Sequence, residues 1–229
     1  MNIKLYLDGA DLDSMAALID RCDGVTTNPS LCRKAGVTDY REFARRVLAI
    51  VGGRPVSFEV LADDLSGMER QAQEIAGWGD NVFVKIPITN TAAESTAPLI
   101  ERLAASGVRV NVTAVLTKAQ VREAVNALNG AEAIVSIFCG RIRDTGRDAL
   151  QTVRYAMQLT AVGGTSVLWA STREIYNVYE AEEVGCDIIT VAPDLLKKLG
   201  MRGRDLTALS LDTVKQFYRD AKEAGLCLE

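Results

Sequence analysis

The sequence places a lysine where a charged side chain is unexpected. Lys85 lies in the middle of the apolar segment DNVFVKIPITNT, and two other apolar segments carry carboxylates, Asp8 in IKLYLD and Glu59 in PVSFEV. Burial disfavours an ammonium, and a neutral lysine amine can attack a carbonyl to form a Schiff base. The protonated imine draws electrons from a neighbouring C–C bond while a carboxylate takes the proton of the departing hydroxyl. These three residues therefore have the types needed to break a C–C bond without a metal.

The chain contains no histidine among its 229 residues. This excludes Ser/His/Asp and Cys/His catalytic groups, as well as histidine-ligated metal sites. No strand is followed by GxGxxG, and neither GxxxxGK[ST] nor GxSxG occurs, so nucleotide-binding and serine-hydrolase functions lose their usual support. We therefore expect acid and base chemistry from carboxylates, lysine, tyrosine or bound water, with no metal and no cofactor.

Short β-rich runs alternate along the chain with amphipathic segments, which is the pattern of consecutive βα units. The eight runs are IKLYLD ending at Asp8, GVTT at Thr27, PVSFEV at Val60, VFVKIPI at Ile88, RVNVTAV at Val115, AIVSIF at Phe138, TSVLWAS at Ser171 and DIITVA at Ala192. The predicted helices between them include residues 39–50, 64–78, 92–106, 118–128, 147–161 and 174–184.

Eight βα units in a chain of this length predict an α/β protein with the (β/α)8 TIM barrel fold. A doubly wound open sheet is the alternative architecture. No Pro/Gly/Ser linker or low-complexity tract divides the chain. We therefore expect residues 1–229 to form a single barrel domain, in which residues 210–229 are a C-terminal helical extension.

The alternation of side chains within the strands predicts which residues share a face. Asn111 and Thr113 lie opposite three valines of their strand, and the same parity separates Lys85, Glu59 and Asp8 from their apolar neighbours. Helices must cover the outer face of a parallel barrel, so these polar side chains are predicted to point into the lumen.

A structural role for Lys85 is the alternative to a chemical one. It could pair with Glu59 or Asp8 as a buried ion pair that ties the barrel together. However, these residues fall toward the C-terminal ends of their strands, where the active sites of barrel enzymes lie. Their positions therefore favour catalysis.

Charge and cysteine usage indicate the partners and the compartment. The net charge is −4 with acidic and basic residues interspersed, so we expect no nucleic-acid partner and no membrane partner. The sequence has no apolar run of membrane-spanning length and no recognisable signal peptide, and its five cysteines form no CxxC pair. These features predict a cytoplasmic protein with reduced thiols and a small-molecule substrate.

Five segments together resemble the signatures of the transaldolase family, especially its small single-domain branch. They are DGVTTNPSL (23–31), VFVKIPIT (82–89), VNVTAV (110–115), VSIFCGRI (135–142) and WASTR (169–173). The resemblance runs from the first strand to the last. The TTNPS and VKIP elements at this separation are specific, whereas either carboxylate alone would be weak evidence.

The resemblance implies a role for each candidate catalytic residue. Lys85 is expected to form the Schiff base, and Asp8 to serve as the acid and base for C–C cleavage and formation. Glu59 and Thr113 are expected to activate and position a catalytic water.

The resemblance also implies the residues that bind a phosphosugar. Asn28 has the alternative role of a turn residue before Pro29. The dihydroxyacetone hydroxyls are expected to contact Asn28, Asn111 and Ser136, the phosphate is expected to contact Arg141, Ser171 and Arg173, and Phe138 is a further substrate-binding residue.

Two activities occur in this family. Transaldolases pass a dihydroxyacetone unit between phosphosugars, whereas fructose-6-phosphate aldolases release it and have Gln at the position of Glu59 and Tyr at that of Phe138. The present sequence follows the transaldolase pattern at both positions, which predicts transfer from sedoheptulose 7-phosphate to glyceraldehyde 3-phosphate in the pentose phosphate pathway. Thr172 and Glu174 depart from the family pattern beside the expected phosphate site.

The resemblance further implies a homo-oligomer, a ring of five subunits or a stacked pair of rings, in which the amphipathic C-terminal helix reaches a neighbour. That helix could instead cover its own barrel. A non-catalytic phosphosugar-binding barrel is the alternative from a different functional class, but it would have no need of Lys85, Asp8 and Glu59 together.

Overall fold

Eight parallel strands close into a barrel in the computed structural model, which describes residues 2–228. The strands are β1 (Lys4–Asp8), β2 (Gly24–Thr26), β3 (Val56–Glu59), β4 (Val82–Pro87), β5 (Val110–Val115), β6 (Ala133–Phe138), β7 (Thr165–Ala170) and β8 (Ile188–Val191). Neighbours in the chain are neighbours in the barrel, and β8 pairs with β1 along Lys4–Leu7. The predicted (β/α)8 barrel is therefore confirmed, and the open doubly wound sheet is wrong.

Helices follow the strands and form the outer layer of the barrel. They are α1 (Leu12–Leu18), α2 (Pro29–Lys34), α3 (Tyr40–Val51), α4 (Leu65–Ala76), α5 (Ala97–Ala105), α6 (Lys118–Leu128), α7 (Cys139–Asp144), α8 (Leu150–Thr160), α9 (Tyr176–Glu183) and α10 (Pro193–Lys197), with a 3-10 turn at Ile19–Arg21. Several begin at a side chain that accepts a backbone hydrogen bond from the first turn, namely Asp11, Asn28, Asp39, Asp64 and Thr117.

The strand boundaries agree with the predicted runs to within one residue at each end. The clearest difference is α5, which begins at Ala97 although a helix was predicted from residue 92. Residues 89–96 instead form a small loop, in which Thr89 bridges to Ser95 and the Thr96 hydroxyl donates to the Pro87 carbonyl over 2.6 Å. The polar side chains of this loop satisfy backbone groups that a longer helix would have used.

The lumen has an apolar layer below a polar one, as strand parity predicted. Residues two positions apart on one strand share a face, so on five strands a residue of the lower layer has a polar partner above it, whereas on β7 Leu168 lies below Ala170. The pairs are Tyr6 with Asp8, Gly24 with Thr26, Phe83 with Lys85, Ile134 with Ser136 and Ile188 with Thr190. Gly24 is required in this layer, because a Cβ atom there would lie 2.7 Å from Cζ of Tyr6.

The outward faces of the same strands are apolar and fully covered. Val84 and Ile86 flank Lys85 on β4, and Val112 lies between Asn111 and Thr113 on β5; all three are 0% exposed. The side chains of Cys22, Cys32, Cys139 and Cys186 are buried thiols.

The described chain divides into two compact units, one ending at Leu196 and the other beginning at Lys197. The second unit contains a 3-10 turn (Lys198–Met201) and the helix α11 (Leu206–Glu223), which is capped by Asp205. The helix thus begins four residues before the position predicted from the sequence. No residue of α11 is buried, and its exposed apolar side chains include Leu211, Val214, Phe217 and Tyr218.

The length and hydropathy of the helices bear on membrane association. Across residues 2–228, none of them is both long enough and apolar enough to traverse a bilayer.

Candidate active site

Lys85 is on β4, and its side chain lies inside the barrel, with β3 on one side and β5 on the other. Its register partners are Glu59 on β3 and Asn111 on β5, and the residue is only 5% exposed. The Nζ atom lies 3.3 Å from Oε2 of Glu59 and donates to the carbonyl oxygen of Thr27 over 2.9 Å. The amine is thus held by one carboxylate and one backbone carbonyl.

Asp8 approaches the same space from β1, where a chain of hydroxyls supports it. The Thr26 hydroxyl donates to Oδ1 of Asp8 over 2.8 Å, and the Thr190 hydroxyl is hydrogen-bonded to that of Thr26. Burial raises the pKa of the Asp8 carboxyl, although the nearby charge of Lys85 and the Thr26 hydrogen bond oppose this effect. Asp8 therefore holds a proton more readily than an exposed aspartate does.

Three buried polar side chains form a fixed row on the other side of Lys85. The amide nitrogen of Asn111 donates to Oγ of Ser57 over 3.0 Å, and Oγ of Ser136 donates to the Asn111 amide oxygen over 2.7 Å. Asn111 is completely buried, and its orientation is set by these two neighbours. Ser136 is nearer to the open end of the lumen and lines the cavity described below.

Thr113 has a buried hydroxyl oxygen without a hydrogen-bond partner among the described residues, a condition shared only with the Trp169 indole nitrogen. A buried hydroxyl without a partner costs free energy, so such a group normally serves water or a ligand. Because Thr113 also lines the cavity that contains Lys85, its hydroxyl is available to a molecule that enters there.

The cavity at the C-terminal ends of the strands has a volume of about 280 Å³. Of the predicted site residues, it is lined by Asp8, Asn28, Lys85, Thr113, Ser136, Phe138, Arg141, Ser171 and Arg173. Glu59 and Asn111 do not line it but lie directly behind this surface, against Lys85 and Ser136 respectively. One cavity thus brings together the predicted catalytic residues and the predicted phosphosugar-binding residues.

Asn28 and Phe138 occupy the rim above Lys85. Asn28 caps α2 by accepting from the Leu31 amide over 3.0 Å, so its oxygen has the predicted turn-forming role while the residue also lines the cavity. Phe138 ends β6, and the guanidinium carbon of Arg141 lies 5.3 Å from its ring centroid. This cation–π contact sets the direction of Arg141.

Ser171 has a backbone conformation that is uncommon for a residue other than glycine. Its φ is 62°, and its carbonyl oxygen points so closely at Gly140 that a Cβ atom there would lie 1.7 Å away. The Thr172 hydroxyl donates to the Thr190 carbonyl over 2.6 Å and ties this turn to β8. Gly140 and Thr172 therefore hold the turn that carries Ser171 and Arg173, which accounts for the threonine that departs from the family pattern.

Arg173 is held at both its backbone and its side chain. Its guanidinium pairs with Asp144 over 2.5 Å, and the backbone amides of Arg173 and Glu174 both donate to Oδ1 of Asn177. Asn177 in turn donates to Glu180 over 2.9 Å. Arg173 and Asp144 are each about half exposed, so this end of the site is open to solvent.

A partly buried ion pair supports Asn177 from behind. Arg143 donates two hydrogen bonds to Glu180, of 2.6 and 2.8 Å, and its guanidinium stacks 5.2 Å from the Trp169 ring centroid. The hydrogen bond from Arg143 lowers the pKa of the Glu180 carboxyl, which therefore remains a charged acceptor for Asn177.

Several residues of the site were not predicted from the sequence. Thr26 and Ser57 lie on lumen faces, so strand parity could have identified them. Tyr40, the first residue of α3, acts on the backbone of Glu59, 19 residues away, for which the sequence has no local signal. Asn177 accepts from amides only three and four residues before it, so its contact is local, but it was not predicted.

The described residues offer no cluster of three or more Asp, Glu, Cys or His side chains that could hold a metal ion.

The fold and the site together define a class: a (β/α)8-barrel protein with a lysine-centred site at the C-terminal ends of its strands. The chain matches the model of the family described as Transaldolase/Fructose-6-phosphate aldolase over residues 5–228, and it belongs to that family.

Sequence relatives agree with this assignment. A protein from Methanococcus maripaludis named "Probable transaldolase" is 36% identical over 201 residues, which are 86% of this chain and 89% of the relative. A protein of the same name from Heliobacterium modesticaldum is 35% identical over 225 residues, covering 96% of this chain and 100% of the relative. The chain is therefore a member of a family of aldolase- and transaldolase-type enzymes.

Solved structures with low sequence identity share the fold alone. The 3-hexulose-6-phosphate synthase from Salmonella typhimurium superposes with a TM-score of 0.60 at 17% identity, covering 83% of this chain and 89% of that one. A mandelate oxidase mutant superposes with a TM-score of 0.55 at 18% identity, covering 96% and 73%.

We expect the change Asp8→Asn to raise the thermal stability of the protein at neutral pH. Because burial raises the pKa of the Asp8 carboxyl, the folded protein binds this proton more tightly than the unfolded chain does. Stability then falls as pH rises from the ordinary aspartate pKa of about 3.9 through the raised value. The neutral side-chain amide in Asp8→Asn has no charge to bury, so the variant avoids this loss of stability, and the amide oxygen can still accept from the Thr26 hydroxyl. Thermal unfolding between pH ~4 and ~8 should show an advantage that grows with pH.

Asp63→Asn is the matched control with the opposite sign. Hydrogen bonds from Thr91 lower the pKa of the Asp63 carboxyl, so its contribution to stability is present at neutral pH and is lost as pH falls. This variant should be slightly less stable than the wild type at neutral pH and equal to it in acid. An Asp8→Asn protein that is less stable than the wild type at neutral pH would contradict a raised pKa of the Asp8 carboxyl.

Proposed function

We propose that the protein is a transaldolase in which Lys85 forms a Schiff base with a ketose phosphate. The observation that carries the proposal is the position of the Lys85 amine, which is buried in the lumen 3.3 Å from the Glu59 carboxylate, at the base of a cavity that Asp8 also lines and whose rim carries two arginines. Both the sequence relatives and the family description support an aldol-type reaction.

The first step joins Lys85 to the substrate. The neutral amine adds to the ketone carbon, and the carbinolamine loses water to leave an iminium on Nζ. Glu59, 3.3 Å from Nζ, is placed to take the proton that the Lys85 ammonium must lose before its amine attacks, and to return that proton to the hydroxyl that leaves as water. The unpartnered Thr113 hydroxyl supports a role in positioning the water that is released here and consumed in the final hydrolysis.

The second step breaks the C–C bond next to the former ketone. Electrons of the C3–C4 bond move to the iminium and give an enamine, while the C4 hydroxyl proton passes to Asp8 and an aldose phosphate leaves. The raised pKa of Asp8 makes its carboxylate a better base than an exposed aspartate, and the same group returns the proton when an acceptor aldose binds. Atoms and charges balance without an external oxidant or metal.

The remaining residues are proposed to bind the two ends of the substrate. Asn111 and Ser136 are fixed by their mutual hydrogen bond, which suits recognition of the dihydroxyacetone hydroxyls together with Asn28. Phe138 covers the carbon chain, and the guanidinium groups of Arg141 and Arg173, with the Ser171 hydroxyl, suit a phosphate monoester at the open end. In this proposal the reaction serves the pentose phosphate pathway in the cytoplasm, and the buried thiols fit a reducing compartment.

Release of free dihydroxyacetone is the second candidate activity, because the family description includes both types of enzyme. Glu59 and Phe138 favour transfer over release, since the resemblance associates Gln and Tyr at these positions with release. A carboxylate next to Nζ is a stronger base than an amide, so Glu59 is expected to make imine exchange efficient.

Borohydride reduction in the presence of fructose 6-phosphate should attach the sugar fragment covalently to Lys85. Peptide mass spectrometry is expected to find the adduct on the peptide that contains Lys85. The Lys85→Ala protein should show no adduct and at least a ~10⁴-fold loss of activity with an unchanged fold. Lys4→Ala, which removes an exposed lysine of β1, is the control and should behave like the wild type. A wild-type protein without an adduct at Lys85 would disprove the Schiff-base mechanism.

Two coupled assays should separate transfer from release. With fructose 6-phosphate as donor and erythrose 4-phosphate as acceptor, formation of glyceraldehyde 3-phosphate is expected to exceed formation of free dihydroxyacetone. Glu59→Gln should lower the transfer rate by about 10²-fold, because the amide cannot accept the proton of the attacking amine. Release that dominates in the wild type would favour the aldolase.

We also propose that the protein is a homo-oligomer joined through α11. The support is the exposed apolar stripe of that helix, where Leu211, Val214, Phe217 and Tyr218 are each more than half exposed. Isolated exposed apolar residues are common, but a row of them on one helix is typical of a contact surface.

Charged substitutions on the stripe should lower the mass of the assembly. The double change Val214→Asp and Phe217→Asp is expected to shift light scattering of the full chain from an oligomer to a smaller species, because an aspartate cannot be buried without a partner. Arg219→Asp, a charge change on the other side of α11, is the control and should leave the mass unchanged. A wild-type protein that is monomeric, or a double variant with unchanged mass, would contradict this proposal.

A further inference from the structure

Strand β2 is too short to satisfy the backbone of Glu59. β2 and β3 pair with Val25 opposite Val56 and Thr26 opposite Ser57, and the amide of Thr27 donates to the Ser57 carbonyl over 3.1 Å. If this parallel ladder continued, the Glu59 amide would donate to the Thr27 carbonyl, and the amide of residue 29 would donate to the Glu59 carbonyl.

Neither of these two hydrogen bonds is formed. Residue 29 is proline, which has no amide hydrogen and begins α2. The Thr27 carbonyl accepts instead from Nζ of Lys85 over 2.9 Å. The backbone of Glu59 therefore has a donor and an acceptor on this side that β2 cannot satisfy, at the position whose side chain contacts the reactive amine.

The hydroxyl of Tyr40 replaces both missing hydrogen bonds to the Glu59 backbone. It accepts from the Glu59 amide over 2.9 Å and donates to the Glu59 carbonyl over 3.1 Å. A hydroxyl is one donor and two acceptors, so a single group can satisfy both. Burial raises the pKa of this hydroxyl, which keeps its proton available for donation.

Elements outside the barrel hold Tyr40 in this position. It is the first residue of α3, whose start is fixed where Asp39 accepts from the Glu42 amide over 3.0 Å. Its ring packs edge-on to Phe58 and Trp78, with centroid distances of 6.3 and 5.8 Å. The hydroxyl is therefore positioned at the backbone of Glu59 by ring packing against Phe58 of β3 and against Trp78.

We propose that Tyr40 is a positioning residue for the reactive amine. By satisfying the backbone of Glu59, its hydroxyl leaves the Thr27 carbonyl for Lys85 and holds the Glu59 carboxylate beside Nζ. This inference rests on the proposed Schiff-base function. It assigns no contact with substrate to Tyr40, and predicts an effect on imine formation and not on phosphosugar binding.

Tyr40→Phe tests the proposal because it keeps the ring and removes only the hydroxyl. Under single-turnover conditions with fructose 6-phosphate, timed borohydride quenching gives an amplitude, which counts competent folded molecules, and a rate constant for imine formation. We expect the rate constant to fall about tenfold, the size of one lost positioning hydrogen bond, while the sugar concentration at half-saturation stays unchanged. A merely structural loss would lower the amplitude and leave the rate constant unchanged.

Tyr155→Phe is the matched control. Its hydroxyl accepts from Nε of Arg122 over 2.8 Å on the outer helices, so the same chemical change there should leave both the rate constant and the amplitude at wild-type values. A rate constant for Tyr40→Phe within about twofold of the wild type would overturn the proposal.

Amide hydrogen exchange of the wild type tests the geometry independently of any variant. The Glu59 amide is expected to exchange as slowly as the amides inside β3, although no strand pairs with it on the β2 side. Exchange as fast as in an exposed loop would overturn the proposal even if Tyr40→Phe failed to fold. A wild-type protein that exchanges slowly at Glu59 but forms no adduct on Lys85 would refute the proposed function and not the hydrogen bonds of Tyr40.

Discussion

The structure depends on placing one amine inside a closed barrel and giving it acceptors. Removing a cation from water costs several kcal/mol unless other groups replace the lost hydration. Here the replacements are the carboxylate of Glu59, the carbonyl of Thr27 and the charge of Asp8 nearby. Glu59 and Asp8 end β3 and β1, and Thr27 directly follows β2, so the environment of the amine exists only when β1 to β4 have closed around it. An ion pair of this kind contributes little to stability, which is why its cost points to chemistry.

The early end of strand β2, which the sequence sets at Asn28 and Pro29, gives Lys85 one of its hydrogen-bond acceptors. Asn28 leaves the strand to cap α2, and Pro29 then prevents any return to the ladder. The break frees a backbone carbonyl for Lys85 and exposes the side of β3 at Glu59, which Tyr40 covers from α3. A strand of ordinary length would have satisfied the same backbone groups internally and would have left the amine with one acceptor fewer. The break in the sheet is therefore part of the site.

The side chains that face the lumen could be predicted from the sequence, whereas contacts made by residues at the starts of helices could not. Strand parity has a fixed period, so a lysine flanked by valine and isoleucine in a parallel barrel can only point inward, and this placed Lys85, Asn111 and Thr113. The contact of Tyr40 with Glu59 joins the start of a helix to a backbone group 19 residues away. Such contacts depend on how far each helix is displaced over the sheet, which periodicity does not determine.

The two ends of the cavity differ in their exposure to solvent in a way that suits transfer between sugars. The polar side chains around Lys85 lie on strands, are buried, and are fixed by hydrogen bonds to one another. The arginines at the other end lie on a short helix and a turn, and both are exposed to solvent. In the proposed reaction the three-carbon fragment remains covalently bound while one aldose phosphate leaves and another enters. A closed end protects the enamine from water, and an open end lets phosphorylated partners exchange without unfolding any part of the barrel.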